Sequence, residues 1–330
     1  MTRTPNISVI IPSNHEHHDL LKILMAVCIQ TVKPFEVVIV DSSVEGGTCP
    51  TEITDLCKAR GIELQYEYRA HTLPGHARNI GYGIASSELI AFIDVQTIPR
   101  PNWLETSLKL LLDNNIAMVF GATIFIAETW FERLVRDAFY GVFPRKTLPG
   151  SVFRREVFYK TGQFIDWVRA GEDTDWILRI DVLNIPVASP SCALLDYIGL
   201  MDLDLMKLLK KWYRNYTASH QLPHLFPQKL FLWLVLYPLI IFIAFNWNYL
   251  IAQWSMDSPF YIGHVTKFAA IFPPSVYVFV RGIWLPLGRG LNSSSVFPIR
   301  FIGIALISFM ADAVKAFVFS IPRRCGHKIR

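Results

Sequence analysis

The stretch ISVIIPSNHEHHDLLKILMAVCIQTVKPFEVVIVDSS, residues 7–43, decides the fold of the N-terminal part of this chain. Its two apolar runs, 7–12 and 35–40, enclose a stretch at roughly 18–30 in which apolar residues recur at helical spacing. A strand that is apolar at nearly every position is typical of parallel sheets that are covered by helices on both faces. The stretch therefore predicts a strand–helix–strand unit at the start of an α/β sheet.

The same alternation of strands and helices continues along the chain. Apolar runs at 62–68 and 89–95 follow helix-period stretches at 50–60 and 75–86. This order predicts a mostly parallel, Rossmann-like sheet, and such sheets bind ligands at the carboxyl ends of their strands. Further elements are predicted as a helix at 101–114, strands at 116–125 and 192–198, helices within 129–141 and 171–184, and a strand leading into a helix within 148–164.

Polar residues follow three of the predicted strands, namely Asn14, Asp41 and Asp94. A carboxylate at the end of a buried strand is costly without a partner, so Asp94 is expected to face a cation or hydrogen-bond donors. A divalent metal that carries a diphosphate is one such partner. The other interpretation is an aspartate that caps the helix after Pro99.

The stretch LPGHARNIGYG, residues 73–83, begins the helix before the fourth predicted strand. Gly75, Gly81 and Gly83 predict a close approach of this helix to neighbouring backbone, because glycine has no side chain to keep it away. Arg78 carries a planar fork of donors that suits a phosphate or a uracil base. These residues strengthen the expectation of a phosphate-bearing ligand at this edge of the sheet.

The C-terminal third of the chain is apolar and basic. After Asp204 it contains fourteen Lys and Arg against two acids, Asp257 and Asp312, and the whole chain has a formal net charge of +5. Residues 201–228 predict a basic amphipathic helix and linker, with the helix either at a bilayer surface or docked on the protein's own core. The basic residues flank apolar runs without forming a dense stripe, which favours a membrane with anionic lipid over nucleic acid as a partner.

Three apolar segments follow, at 229–253, about 260–287 and 296–321, and about 20 apolar residues are enough for a helix to cross a bilayer. The second segment contains two cations and a Pro-Pro pair, so it is expected either to cross, to be re-entrant or to lie in the interface. Residues 229–330 are therefore predicted to form a membrane domain with two or three such helices. The number of crossings, and hence the side on which the basic tail RRCGHKIR lies, is left open.

The N-terminal sequence MTRTPNISVIIPS has no apolar region of the kind found in signal peptides. The expected localisation is therefore the inner membrane, as a multi-pass protein whose N-terminal body faces the cytoplasm.

Three stretches together resemble the inverting glycosyltransferases of family 2, which have the GT-A fold. They are residues 7–43, GHARNIGYGIASSELIAFID at 75–94 and GEDTDWILRI at 171–180. Their order and spacing carry the resemblance over roughly residues 7–215. It implies that residues 1–200 form a GT-A catalytic domain that uses a nucleotide sugar, most commonly a UDP-sugar, with Mg²⁺ or Mn²⁺ as cofactor.

The resemblance also implies roles for residues on the donor side of the site. Pro12 and Asn14 would border the nucleotide base, Asp41 would bind the uracil or ribose, and Arg78 would bind the base or the diphosphate. Asp94 matches the first Asp of the family's DxD metal motif.

The chain departs from that motif at Gln96, where the family usually has a second Asp. An amide oxygen still binds a hard cation, but one negative charge is lost and the metal is held less tightly. Gln96 is therefore expected either to assist the metal or to contact the ribose or phosphate of the donor. The need for a metal is left open.

On the acceptor side, Asp173 matches the general base that takes a proton from the acceptor hydroxyl, and Glu172 beside it would help to hold the acceptor. Asp175, two residues further on, is interpreted either as part of this site or, at least as readily, as a charge at the start of the helix. Together these features predict a membrane-anchored, inverting transferase that acts on a hydroxyl of a lipid-linked or cell-surface glycan. Two alternatives stay open: a polyprenyl-phosphate glycosyltransferase, whose ionised acceptor needs no base, and an inactive nucleotide- or glycan-binding module.

Overall fold

The computed structural model describes residues 5–14, 17–43, 47–112, 115–222, 224 and 228–321. The chain forms two compact units. The first combines the chain up to Glu132 with Val142–Leu203, and the second combines Arg133–Gly141 with the chain from Asp204 onward. The assignment of Arg133–Gly141 to the second unit has no counterpart in the sequence pattern, in which residues 129–141 form one helix.

A mixed β-sheet lies at the centre of the first unit. In the described part of the chain its strands are β1 (Ile7–Ser13), β2 (Glu36–Asp41), β3 (Glu63–Tyr68), β4 (Leu89–Phe92), β5 (Thr97–Pro99), β6 (Met118–Phe125), β7 (Arg145–Arg154), β8 (Val187–Ala188) and β9 (Leu195–Tyr197). They lie in the order β3-β2-β1-β4-β7-β6-β9-β5, and β8 pairs with β6. The strands β3, β2, β1 and β4 are parallel, which confirms the predicted strand–helix alternation.

The second half of the sheet contains antiparallel pairs. β7 lies between β4 and β6 and is antiparallel to both, and β5 is antiparallel to β9. Sequence pattern does not give strand direction, because an apolar run looks the same in either orientation. β5 has only three residues, which is too short for a periodic pattern to be visible.

Helices cover both faces of the sheet. They are α1 (His17–Cys28), α2 (Thr51–Ala59), α3 (Pro74–Ile84), α4 (Trp103–Leu111), α6 (Arg155–Thr161) and α7 (Glu172–Val182). The fifth helix in chain order, α5 (Trp130–Phe139), belongs mostly to the second unit. On one face α1, α2 and α4 contribute Ile23, Ile53 and Trp103 to one core cluster. On the other face α3, α6 and α7 contribute Ala77, Phe158 and Trp176 to a second cluster.

A fully buried carboxylate, Glu36, fixes the start of β2. It accepts hydrogen bonds from the hydroxyl of Ser8 at 2.5 Å and from the backbone N–H and hydroxyl of Ser86 at 2.6 and 2.8 Å. Burial raises the pKa of Glu36, but these hydrogen bonds outweigh burial and hold the pKa below its ordinary value. The group therefore stabilises the fold when it is ionised.

The Glu36→Gln variant is expected to lose about 1–3 kcal/mol of unfolding free energy near neutral pH, because buried donors lose a charged acceptor. Since the pKa of Glu36 is lowered by folding, its contribution is present above the unfolded pKa and is lost as the pH falls. The deficit of the variant should therefore shrink in acid, as measured by urea unfolding across pH. Glu63→Gln is the matched control, since Glu63 lies opposite Glu36 in the β2–β3 register and is exposed. An equal loss in both variants, or a deficit that does not change with pH, would contradict the assignment.

The second unit is helical in the part that the structure describes. It contains α8 (Leu205–His220), α9 (Gln228–Leu250), α10 (Val265–Val278), α11 (Leu285–Gly288), α12 (Ser293–Val296) and α13 (Arg300–Ser320). A π-helical segment, Phe279–Trp284, joins α10 to α11. Two continuous helices, Lys267–Gly288 and Arg300–Ser320, are long and apolar enough to cross a membrane. The apolar stretch Pro238–Leu250 is the C-terminal part of α9. The basic tail RRCGHKIR lies outside the described residues.

The second apolar segment is a helix of spanning length in spite of its cations and its Pro-Pro pair. Pro273 and Pro274 lie within α10, and the helix continues past them. Arg281 donates to Asp312 of α13 at 2.6 Å, and Asp312 also accepts from the hydroxyl of Tyr277 at 2.9 Å. Charges among apolar helices are usually paired in this way, because an unpaired charge there is costly.

The basic helix α8 is partly docked and partly exposed. Trp212 packs edge-on against Phe139 of α5, with ring centroids 5.5 Å apart. Met206, on the same predicted apolar face, is 60% exposed. The helix thus contacts its own unit and still presents apolar surface, and its position at a bilayer surface stays a prediction.

Candidate active site

The carboxyl ends of β1, β2 and β4 meet at one edge of the sheet, as the sequence predicts. Ser13 of β1 pairs in register with Asp41 of β2. The β1–β4 register places Asp94, two residues past β4, level with Pro12. Asn14 follows β1 and is exposed. The residues assigned to the donor side thus lie along this edge, and their individual roles stay predictions.

Asp41 is buried and holds the ends of β2 and β3 together. Its Oδ1 accepts the backbone N–H of Ser43 at 3.0 Å, and its Oδ2 accepts the hydroxyls of Tyr66 at 2.6 Å and Ser43 at 3.0 Å. Burial, together with the hydrogen bond to Asp41, raises the pKa of Tyr66, so Tyr66 stays a neutral donor. A carboxylate has about four acceptor positions, so Asp41 retains capacity for a donor group of a ligand.

Arg78 on α3 joins two acidic groups that are far apart in the sequence. Its Nη2 donates to Oδ1 of Asp94 at 2.9 Å and its Nη1 donates to Oε1 of Glu172 at 3.0 Å. Burial alone would lower the pKa of Arg78, but the charges of Asp94 and Glu172 outweigh burial and raise it, so the guanidinium is charged. Its Nε is buried and has no hydrogen-bond partner among the described residues.

The first turn of α7 places two carboxylates side by side with different exposure. The turn begins after Gly171, whose φ of 97° lies in the left-handed region that favours glycine. Glu172 is 5% exposed, and burial raises its pKa, although Arg78 opposes this effect. Asp173 is half-buried, and both of its bonds, to the N–H and hydroxyl of Thr174, go to Oδ1. Its Oδ2 is therefore available to a ligand.

Asp175 has a structural role. Its Oδ2 accepts from Nε and Nη2 of Arg179 at 3.1 and 2.8 Å, and Arg179 also donates to the carbonyl of Thr161 at 2.6 Å. These bonds connect α7 to the end of α6. Of the two interpretations of Asp175, the geometry favours the helix-start charge.

The start of α3 lies directly against the segment that leads into α7. The amide of Asn79 exchanges two hydrogen bonds of 2.9 Å with the backbone of Phe164. A Cβ atom at Gly75 would lie 2.3 Å from the carbonyl oxygen of Ile165 and 3.2 Å from Cγ of Glu172. The close approach predicted for this glycine is therefore confirmed, and it brings α3 and its Arg78 within reach of Glu172.

The Gly75→Ala variant is expected to lose about 1–3 kcal/mol of unfolding free energy, because the added methyl group overlaps backbone that has to move. Urea unfolding measures this loss. The matched control is Gly83→Ala in the same helix, where a Cβ would meet nothing within 4 Å. The predicted close approach at Gly83 is thus wrong, and its replacement should be neutral or stabilising. Equal stability of the two variants would contradict the contact at Gly75.

Gln96 lies beside β9. Its side-chain oxygen is 3.5 Å from the hydroxyl of Tyr197, and a Cβ at Gly199 would lie 2.3 Å from that oxygen. Its backbone carbonyl accepts from the N–H of Ile198 at 2.9 Å. At 3.5 Å the side-chain contact is a weak hydrogen bond, so the amide is only loosely held.

The residues present fit a divalent metal that arrives with a diphosphate. Among the described residues, no group of three or more His, Cys, Asp or Glu side chains is arranged to hold a metal ion. The side chain of Asp94 is 37% exposed, and Arg78 engages only its Oδ1. Mg²⁺ is commonly bound by one or two carboxylates together with substrate phosphates, and Mn²⁺ prefers similar oxygen ligands. Asp94 suits this kind of site, with Gln96 as a nearby neutral oxygen.

Sequence reasoning missed three residues that build the site. Tyr66 sits in a strand of alternating polarity and shows no signal beyond its aromatic ring. Asn79 directly follows Arg78, and its bonds to the backbone of Phe164 span 85 residues. The ring of Phe164 lies 5.6 Å from the Arg78 guanidinium and stacks on Trp176 at 4.9 Å. Such long-range partners leave no local pattern.

The family match and the similar proteins found by comparison agree with one another. Residues 8–170 match the family described as Glycosyl transferase family 2. An uncharacterized glycosyltransferase of Rickettsia felis is 30% identical over 213 residues, which cover 61% of this chain and 32% of that protein. A UDP-Glc:α-D-GlcNAc-diphosphoundecaprenol β-1,3-glucosyltransferase of Escherichia coli is 30% identical over 115 residues, which cover 35% of this chain and 44% of that protein. The match thus spans about a third of the Rickettsia relative and under half of the E. coli one.

A solved structure with a similar fold covers nearly the whole chain. It is a mannosyltransferase from Pyrobaculum calidifontis in complex with GDP-Man and Mn²⁺, with a TM-score of 0.54 and 16% identity over 96% of this chain and 88% of that one. At this identity the likeness concerns the fold alone. Residues 8–170 thus form a domain of glycosyl transferase family 2, and the chain has a GT-A-like fold.

Proposed function

We propose that this protein transfers a sugar, with inversion, from a nucleotide-sugar donor to a hydroxyl of a lipid-linked or cell-surface glycan at a membrane. The observation that carries the proposal is the contact of Arg78 with both Asp94, at 2.9 Å, and Glu172, at 3.0 Å. This contact joins the strand end that suits a nucleotide diphosphate to the helix that carries Asp173. A single displacement needs donor and acceptor groups side by side in this way.

Asp173 is the proposed general base. It takes the proton of the acceptor hydroxyl as the hydroxyl oxygen attacks the anomeric carbon from the face opposite the leaving nucleotide. Its Oδ2 is available, while Glu172 is held by Arg78 and fixes the first turn of α7. Glu172 in turn helps to orient the acceptor through the position of that turn.

On the donor side, Pro12, Asn14 and Asp41 are proposed to border the base and ribose, and Asp41 is the best held of the three. Arg78 supplies a fixed positive charge for the diphosphate. Asp94, with Gln96 nearby, would hold Mg²⁺ or Mn²⁺ together with the donor, and the metal when bound would neutralise charge on the leaving diphosphate. The GT-A neighbour with GDP-Man and Mn²⁺ supports this assignment, and the UDP-Glc named for the E. coli relative supports a UDP-sugar.

The helices Lys267–Gly288 and Arg300–Ser320 support association with the membrane. A lipid-linked acceptor agrees with the diphosphoundecaprenol acceptor in the name of the E. coli relative.

The proposed arrangement is a multi-pass protein of the inner membrane with the catalytic unit in the cytoplasm. Protease digestion of spheroplasts should leave the catalytic unit intact until the membrane is opened, and cleavage in intact spheroplasts would reverse the proposed orientation.

The test of the proposal combines binding with transfer. Thermal unfolding of the purified protein with UDP-, GDP- and dTDP-sugars, with and without Mn²⁺, should show stabilisation by one donor class that increases with the metal. That donor, radiolabelled, should then label a glycolipid in membrane extracts. Labelling of polyprenyl phosphate instead would favour the alternative acceptor. If no donor stabilises the protein and none is transferred, only the alternative of an inactive binding module remains.

A further inference from the structure

A groove lies between α8 and α13 in the second unit. It has a volume of about 450 Å³ and is lined by Leu209, Lys210, Tyr213, Ala313, Val314 and Phe317. Its lining surface is almost wholly apolar, and the exposed side chain of Lys210 contributes its hydrocarbon stem to it. We call it the α8–α13 groove.

The two helices are held together next to the groove. The ammonium of Lys315 on α13 lies 5.7 Å from the ring centroid of Tyr216 on α8. His220 of α8 packs edge-on against Phe319, with ring centroids 4.6 Å apart, and its Nε2 is 3.1 Å from the carbonyl oxygen of Ile321. Because these contacts fix the spacing of the helices, the groove is part of the fold.

The charge on the two helices around the groove is mainly positive, since Asp312, the acidic residue of α13, is paired with Arg281. Helix α8 carries Lys207, Lys210, Lys211 and Arg214, and its own sequence contains no acidic residue. Asp204, the N-cap residue, pairs with Lys207 at 3.7 Å. The exposed Lys210 beside this apolar groove therefore suits an anionic group attached to an apolar body.

We infer that the α8–α13 groove binds a membrane phospholipid with an anionic headgroup, one hydrocarbon chain lying in the groove and the phosphate on Lys210. The inference rests on the membrane association proposed above and concerns a site separate from the catalytic residues. Each methylene of a chain that leaves water for an apolar surface adds to binding. The basic residue adds selectivity for an anionic headgroup, at about a five-fold preference for a single lysine near a membrane surface.

The experiment uses the full chain in detergent micelles with an equimolar mixture of phosphatidylglycerol and phosphatidylcholine that have identical chains. Native mass spectrometry counts the lipid that each protein retains. The wild type should retain phosphatidylglycerol in preference to phosphatidylcholine. The Lys210→Gln variant should lose about five-fold in that preference, whereas Ala313→Trp, which fills the groove, should retain less of both lipids.

The matched control is Lys207→Gln, which removes the same charge from the same helix at a position outside the groove. It should behave as the wild type. Equal retention of the two lipids by the wild type, an equal effect of the two lysine variants, or undiminished retention by Ala313→Trp would each overturn the inference. Lys210 is exposed, so its variant should fold even if Ala313→Trp does not. Retention is measured without turnover, so absence of sugar transfer would count against the proposed function and leave this result standing.

Discussion

The Asp173→Asn variant is expected to lose about 100- to 10,000-fold in the rate of sugar transfer, the range that a positioned general base contributes. An amide has the size of the carboxylate but does not accept the proton of the acceptor hydroxyl. Asp173 is half-buried at the start of α7, and its known partner is the adjacent Thr174, so the change should leave the fold intact. Donor affinity should be unchanged, because the donor residues lie along the strand ends. Initial rates and isothermal titration with the donor measure the two quantities.

Asp175→Asn is the control for that experiment. Asp175 lies on the same helical turn but is bonded to Arg179, so its loss should lower stability and leave the transfer rate of the folded protein near that of the wild type. Wild-type turnover in the Asp173→Asn variant would show that the base lies elsewhere. A large rate loss in both variants would mean that α7 as a whole had been disturbed.

The Arg78→Met variant is expected to lose about 3–5 kcal/mol of unfolding free energy, the usual cost of breaking a buried ion pair by removing one partner. Arg78 is 4% exposed, and it is the cation that bonds Asp94 and Glu172. Without it, Glu172 is buried beside Asp173 with no opposing charge. Urea unfolding at constant pH measures the loss.

Two further variants identify the cause of that loss. Arg100→Met removes the partly exposed pair with Asp196 and should cost about 1 kcal/mol or less. Adding Glu172→Gln to Arg78→Met should recover part of the stability, because it removes the buried charge that lost its partner. A cost at Arg78 no larger than at Arg100, or no recovery in the double variant, would contradict the role of the buried pair.

The pH dependence of the Arg78→Met variant follows from the same contact. Burial already raises the pKa of Glu172 in the wild type, and loss of Arg78 should raise that pKa further. A carboxyl group with a raised pKa in the folded state binds more protons there than in the unfolded chain, so stability increases as the pH falls. The deficit of the variant should therefore narrow towards acid pH.

The strand–helix alternation of the first unit was predictable because buried parallel strands leave a plain apolar pattern. The position of the candidate site followed from it, since polar residues after β2 and β4 have to share one edge. The antiparallel insertion of β7 between β4 and β6 was not predictable, because strand direction leaves no trace in an apolar run. The three-residue strand β5 was missed for its length.

Within the site, sequence reasoning selected Arg78, Asp94, Glu172 and Asp173 separately. It did not predict that Arg78 bonds two of them, because 94 residues separate Arg78 from Glu172 along the chain. It assigned Arg78 to the ligand alone, whereas in the structure each of its two Nη atoms donates to a carboxylate of the protein itself. Contacts over such distances depend on how α3 and α7 pack, and this packing is set by residues such as Gly75 whose sequence signal is only the missing side chain.

Because Asp94 and Glu172 share one guanidinium, the interactions of each carboxylate depend on the charge of the other. If the charge at Asp94 is neutralised, Arg78 interacts more strongly with Glu172, and the converse also holds. Thermodynamic linkage requires this influence to be equal in both directions. With the donor at Asp94 and the acceptor beside Glu172, as proposed, the affinity for each substrate therefore depends on whether the other substrate is bound.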